Sequence, residues 1–357
     1  MFDRRADSTA NLRSRSSSDS ARKRKKEGGR SRPRQPRPLG WPTILVAFSI
    51  YGGFLLVTWF HEELPAWLLL PFGAYLVAWH GSLQHEVVHG HPTPLGWLNR
   101  LLVFPNLALW LPFEHYRESH IRHHRDEWLT DPLEDPESWY LTAEGWAAKS
   151  RFTQCLLWIN NTVAGRLLIG PLLVVGRFLF SELKALAAGT FKWRAWLLNL
   201  ISAGLVLTWI TACGLSLWAY LLFFVYPGTS LSLLRSFAEH RARSAVGERT
   251  LIVEASIPMA LLYLNNNLHA VHHSFPGEPW FRLPAIWREE RERLLAQNGG
   301  YRFSGYAEIV ARYLLWPKED LVHPAHSGRQ QGDRDKPWIQ AGSEELQEDA
   351  LLPSRSG

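Results

Sequence analysis

The sequence predicts an all-α integral membrane protein with four membrane-spanning helices and its histidine clusters gathered at one membrane face. Three observations carry this. Long apolar stretches free of charge alternate with polar, aromatic stretches. The mean hydropathy of −0.15 hides this, because both ends of the 357-residue chain are very polar and the middle is not. Finally, the pattern histidine, two residues, histidine, histidine occurs as "HIRHH" (120–124) and returns about 150 positions later as "HAVHH" (269–273).

The elements follow in order. Residues 41–60, "WPTILVAFSIYGGFLLVTWF", are uncharged and long enough to cross a bilayer. After "HEEL", residues 64–83 form a second span, and Pro92 is expected to end the helix that continues it. Residues 95–113 contain Arg100, Pro105 and Asn106 and read as an interfacial or re-entrant segment. Residues 164–183 carry Arg166 and Arg177, which favour a helix lying on the surface over a short span. Residues 194–234 make two further spans that turn near Gly214.

Parity then fixes the sides. Residues 1–40 hold 13 Lys and Arg against 4 Asp and Glu, while the whole chain is only +6, so the basic character belongs to this tail. A basic tail stays in the cytoplasm. Two spans return the chain there for His85 onward, and two more return it for residues 235–325. Four spans thus bring every histidine cluster to the cytoplasmic face. The tail, rich in Ser, Arg and Pro, reads as a disordered, solvated extension and not as a nucleic-acid arm or a secretory signal. A second disordered tail is expected over 327–357, which leaves 41–326 as the domain. Two cysteines, Cys155 and Cys213, make neither a disulfide framework nor a thiolate metal site.

The clusters demand metal. In "QHEVVHGHP", His85 and His89 lie four apart on one helix face. In "HIRHH", His120 sits one turn below both His123 and His124, whose side chains diverge by about 100° and can serve different ions. His269, His272 and His273 repeat that geometry, and His240 follows the last span alone. Nine imidazoles exceed what one ion needs and suit two ions with room for exogenous ligands. Imidazole suits iron, copper, zinc and nickel alike. Neutral imidazoles bring no charge, so carboxylates are expected behind them: Glu86, Glu118, Asp126, Asp131, Asp135 and Glu239 are the candidates. His61, His80, His91, His115, His323 and His326 read as isolated polar contacts, and "DPLEDPESWY" as an ordinary capped loop. Some of Trp110, Trp128, Trp139, Trp158 and Trp280 are candidates for lining a lipid channel.

"HEVVH", "HIRHH" and "HAVHH", with paired spans between the second and third, resemble the membrane fatty acid desaturase superfamily. That superfamily includes acyl hydroxylases and carotenoid ketolases and hydroxylases, and its site is similar to that of alkane monooxygenases. "AEH" (238–240) resembles the extra histidine motif of the alkane monooxygenase-like branch, and "HGH" and "DPLEDPE" resemble features of bacterial members. The resemblance implies a four-span helical bundle with a cytosolic helical cap carrying the boxes, in a bacterial inner membrane. It implies two non-haem iron ions held by His85, His89, His120, His123, His124, His240, His269, His272 and His273, with O2 as co-substrate. The chain has no haem-binding motif and no GxGxxG, so an external donor (a ferredoxin, rubredoxin or cytochrome with its reductase) is expected to supply electrons to an enzyme acting on membrane lipid. "HEVVH" has three residues between its histidines where many acyl-CoA members have four, which weighs against an acyl-CoA substrate.

The expected activity is therefore an acyl-lipid desaturase, with a hydroxylase or ketolase of an acyl chain, carotenoid or hydrocarbon as the alternative. A metal transporter fits less well, because the clusters lie outside the spans instead of lining a path through them. A zinc hydrolase with Glu86 as base would not need nine histidines.

Overall fold

The computed structural model describes residues 39–327. The expected tails therefore lie outside the described residues, apart from Leu39, Gly40 and Ser327. Fourteen helices run in the order α1 (Trp41–Trp59), α2 (Ala66–Val88), α3 (Gly96–Leu102), α4 (Phe113–His123), α5 (Ala143–Ala147), α6 (Arg151–Asn160), α7 (Val163–Leu168), α8 (Gly170–Ala187), α9 (Trp193–Ala212), α10 (Leu217–Glu239), α11 (Ile257–Leu262), α12 (His269–Ser274), α13 (Leu283–Gln297) and α14 (Tyr306–Tyr313). Two short parallel strands, β1 (Ile252–Val253) and β2 (Arg302–Phe303), and four short 3-10 helices complete the elements among the described residues.

Four helices are long and apolar enough to cross a membrane: α1, α2, α9 and α10. These are the predicted four, and α9 and α10 turn at Gly214 as expected. Their outer faces expose Leu45, Phe48, Leu56, Leu200 and Leu222, while Ile50, Phe54, Tyr220 and Phe224 are buried between them. Neither ambiguous segment forms a span. Helix α3 has seven residues, a length of about 10 Å, far short of a bilayer core. Residues 163–187 are broken at Ile169 into α7 and α8, and Arg177 of α8 donates to the Ser138 carbonyl.

The pairing of α2 with α10 positions the site. Pro227 has no N–H for the Phe223 carbonyl one turn earlier, and its ring crowds that oxygen. The helix widens into a π turn over Leu221–Val225. The Phe223 carbonyl then faces Gly73 of α2, where a Cβ would stand 2.5 Å from it. Further along, a Cβ on Gly228 would stand 2.6 Å from Cβ of Val77, and one on Gly81 would lie 3.7 Å from Ser232 Oγ. The contacts ascend together in both helices, so α2 and α10 run parallel and in close approach through small residues. Their C-terminal ends, which carry His85, His89, Glu239 and His240, finish side by side.

The end of α2 differs from expectation. The helix stops at Val88 through a Schellman motif, with Gly90 at φ +85°, the Gly90 N–H on the Val87 carbonyl and the His91 N–H on the Glu86 carbonyl. The stop comes before Pro92, because the left-handed Gly90 already satisfies the open carbonyls.

Candidate metal centre

Each histidine is fixed by its own element. His85 and His89 sit on the last turn and cap of α2, and His120, His123 and His124 on the last turn and cap of α4. His240 caps α10, and His269, His272 and His273 belong to α12. Helix α12 is held from behind by β1: the Ala270 N–H reaches the Leu251 carbonyl, and Asn267 Nδ2 donates to the Val253 carbonyl at 2.7 Å.

The nine rings converge into two groups. His85, His89, His120, His124 and His272 form one; His123, His240, His269 and His273 form the other. In each, one ring nitrogen from every residue lies within 4.8 Å of all the rest. The groups abut, with the His124 and His273 rings stacked at 4.4 Å. In both long boxes the i,i+4 pair stays together and the i+3 residue crosses to the other group, as the divergence of neighbouring side chains requires.

The donor set fits metal ions. Nε2 atoms approach at 3.2 Å (His89–His120), 3.0 Å (His120–His124), 3.0 Å (His124–His272), 3.0 Å (His123–His240), 2.9 Å (His240–His269) and 3.1 Å (His269–His273). Two nitrogens at about 2.1 Å from a shared ion and at right angles stand about 3.0 Å apart; tetrahedral angles would give about 3.4 Å. The Nδ1 atoms of His123, His240 and His269 face acceptors: Asp135 at 3.0 Å, the Arg249 carbonyl at 3.3 Å and Asn266 Oδ1 at 3.1 Å. Nδ1 is therefore the donor in all three, and their Nε2 lone pairs point at one another, an arrangement that a cation stabilises. Nε2 of His85, in the other group, is buried without a hydrogen-bond partner.

Electrostatics agree. Burial holds His120, His124, His240, His269 and His272 below the usual histidine range, and charge on neighbouring histidines adds to it for most of them, so these rings stay neutral ligands. His123 goes the other way. Burial would lower it, but Glu137 and the Asp135 hydrogen bond outweigh burial and push it up to about 9. The surroundings of the four-histidine group thus favour positive charge at His123. Burial would raise Glu137, but His123 and His120 hold it at about 2.

Of the carboxylates expected behind the histidines, two stand there. Asp135 accepts from His123, and Glu239 lies 3.4 Å from His269 Nδ1 while bonded to Arg235 at 2.8 Å. The others stand elsewhere. Glu86 turns to the Trp280 N–H, Asp131 pairs with His326 at 2.7 Å, and Glu118 with Lys192; the side chain of Asp126 lies outside the described residues. Sequence reasoning missed Glu137, whose carboxylate lies 3.3 Å from His120 Nδ1, and Asn266. Glu137 belongs to "DPLEDPESWY", so that stretch is more than a capped loop. Asp131 does cap the N–H groups of Leu133 and Glu134, but Asp135 and Glu137 face the metal groups. Of the isolated histidines, His61 bonds the Thr58 carbonyl, His115 faces Glu182 and His323 bonds Thr130, whereas His80 meets the Tyr51 ring edge-on and its buried Nε2 has no hydrogen-bond partner.

A cleft of about 590 Å³ runs between α3, α4 and α9, from Arg100, Lys192 and Arg194 to Gln84, the neighbour of His85. Val103, Phe104, Phe113 and Leu198 give it apolar walls. The lining tryptophan is Trp97; none of the five proposed from sequence lines it. Trp139 lies between Arg166 and Arg177, and Trp280 donates to Thr43.

A four-span membrane protein whose histidines gather into two metal-competent groups belongs to the histidine-box class of membrane proteins. Within that class the chain belongs to the fatty acid desaturase family, whose model matches residues 62–305. The match includes all nine histidines, and it supports a function of the desaturase or hydroxylase type, with iron-dependent histidine-box chemistry. No curated protein matches the chain.

Proposed function

We propose that this protein is an oxygen-dependent membrane oxidoreductase that holds two non-haem iron ions and introduces a double bond into the acyl chain of a membrane lipid. The observation that carries the reading is the division of nine histidines into groups of five and four, with a cleft lined by Gln84, one residue from His85. His85, His89, His120, His124 and His272 would hold one ion, and His123, His240, His269 and His273 the other. Two reduced irons supply the activation of O2 needed to break an unactivated C–H bond.

The chain's own residues orient and exclude. Asp135 and Glu137 lock the tautomers of His123 and His120, so that Nε2 faces the ion. Arg235 and Asn266 hold Glu239 against His269. Val103, Phe104, Phe113 and Leu198 of the cleft would lie against an extended hydrocarbon. The boxes face the cytoplasm, where a ferredoxin, rubredoxin or cytochrome with its reductase supplies electrons.

The test is expression in a host that lacks the gene, with iron analysis of the purified protein. Two irons per chain, oxygen uptake that depends on reductant, and a lipid acyl chain lighter by two hydrogens are expected. A gain of one oxygen atom would assign hydroxylation instead, and bound zinc without oxygen uptake would overturn the reading.

A further inference from the structure

Behind the four-histidine group lies a second space, which shares only α4 with the cleft. It is a chamber of about 50 Å³ whose walls include His123 and His240, the carboxylates Asp135 and Glu137, and Asn160 and Arg166 from α6 and α7. Asn160 and Arg166 are 2% and 5% exposed. Each has one buried polar atom without a partner: Asn160 Oδ1 and Arg166 Nη1. The rest of Arg166 is well held, with Nε on the Asn160 carbonyl at 3.1 Å and the guanidinium over the Trp139 and Phe237 rings. Its unpartnered N–H is thus fixed in place.

A polar atom buried in this way costs about 1–3 kcal/mol unless something satisfies it. The two atoms are opposite in kind, one a donor and one an acceptor. An inorganic anion satisfies Arg166 but meets the Asn160 oxygen with like charge. Water satisfies both. An internal water needs about 10–15 Å³ of such space, so the chamber takes about three. Ser236, which is exposed, and Tyr140, whose hydroxyl donates to Glu319, line it as well.

We propose that this chamber is an internal water site, anchored by Arg166 and Asn160, through which water leaves the four-histidine group on the cap side. Its occupancy follows from the chamber alone, whereas its use rests on the oxygen-dependent reading. In that reaction one CH2–CH2 unit, one O2, two electrons from the one-electron donor protein and two protons give one CH=CH unit and two waters. Water formed at the four-histidine group has to leave it, and the chamber touches two of the four histidines.

The test is X-ray radiolytic labelling of the full-length protein in lipid nanodiscs in 18O-water, read by mass spectrometry. Bound water labels the side chains beside it. Strong 18O incorporation at Leu157, Phe237 and Leu321 is expected. It should fall several-fold in Asn160→Leu, which fills the space and removes the acceptor, and persist in Asn160→Asp. If Asn160→Leu fails to fold, Leu157→Phe narrows the chamber without removing a polar atom and should give the same loss. Background labelling in the unaltered protein, or unchanged labelling in the filled variants, overturns the site. Filled variants are also expected to turn over several-fold more slowly, with unaltered KM for lipid and unaltered metal content. Lost labelling with full turnover would overturn the exit role and leave the water site standing. A protein that takes up no oxygen would refute the proposed function without touching the labelling result.

Discussion

His123 and His124 are consecutive in the chain, their rings stand 5.9 Å apart at 81°, and they belong to different metal groups. One peptide bond thus links the two groups here, and a second does so between His272 and His273. The substitutions His123→Ala and His124→Ala are therefore expected to differ. The first removes one of four ligands and should empty the four-histidine group; the second leaves four of five in the other. Metal analysis should find about half the normal content for His123→Ala and a smaller loss for His124→Ala. Equal losses from both would show that the groups do not fill separately.

Asp135 accepts from His123 through Oδ1 at 3.0 Å and also takes the Thr130 N–H at 2.8 Å. It orients the ring and supplies charge, and the two roles can be separated. Asp135→Asn keeps a carbonyl oxygen at the same place but removes the charge. A fall of about 10–100-fold in metal affinity is expected, with the fold intact, as is usual for carboxylates behind metal-bound histidines. Competition with a chelator, alongside circular dichroism, measures both.

Much of this was legible in the sequence, for reasons that differ by element. The spans were readable because a bilayer-length apolar run has few alternative fates, and the parity argument placed the boxes at one face. The division of His123 from His124 followed from helix geometry alone. The partners behind the rings were harder. Asp135 was named and Glu137, two residues on, was not, because the loop around residues 130–138 folds on itself through Asp131 and Asp135, and no periodicity gives its path. Glu86 misled for the opposite reason. Its neighbour His85 joins the five-histidine group, and on a helix the next side chain points about 100° away, here to Trp280. The close approach of α2 and α10 depends on Gly73 meeting Phe223 and Gly228 meeting Val77 across about 150 positions, which a single sequence does not pair.

That approach gives a stability prediction. A Cβ on Gly73 would stand 2.5 Å from the Phe223 carbonyl, a backbone atom that cannot move aside cheaply. Gly73→Val should cost about 1–3 kcal/mol or more by overpacking. Gly52, where a Cβ meets nothing within 4 Å, is the matched control on α1. The thermal midpoint in nanodiscs should drop for Gly73→Val and hold for Gly52→Ala. Metal content should fall with the first, because α2 and α10 deliver His85, His89 and His240 together.

His323 predicts a pH effect at the end of the described chain. It is buried against Thr130 and the Tyr140 ring, with Asp131, His326 and Arg249 nearby. Burial, and then Arg249, lower it from the usual 6.5 to about 4. The fold thus favours its neutral form. This contribution to stability is fully present above pH 6.5 and is lost as the pH falls from 6.5 towards 4. The protection of residues 321–327 against hydrogen exchange, relative to the intrinsic rate at each pH, should fall between pH 7 and pH 5 in the unaltered protein and change less in His323→Gln. Equal loss of protection in both would assign the loosening to another group.

Gln84 allows the proposed lipid cleft to be tested apart from the histidine groups. It is buried, is next in sequence to His85, and lines the cleft with Phe104 and Ser202. Its side chain takes no part in either histidine group. Gln84→Trp puts a large ring into the cleft, where it would obstruct an acyl chain. Iron content should stay unchanged, and conversion of lipid should fall by at least ten-fold. If oxygen uptake persists without product, the two functions are uncoupled as the geometry requires. Normal conversion by Gln84→Trp would mean that lipid reaches the histidines by another path and that this cleft is not the entry.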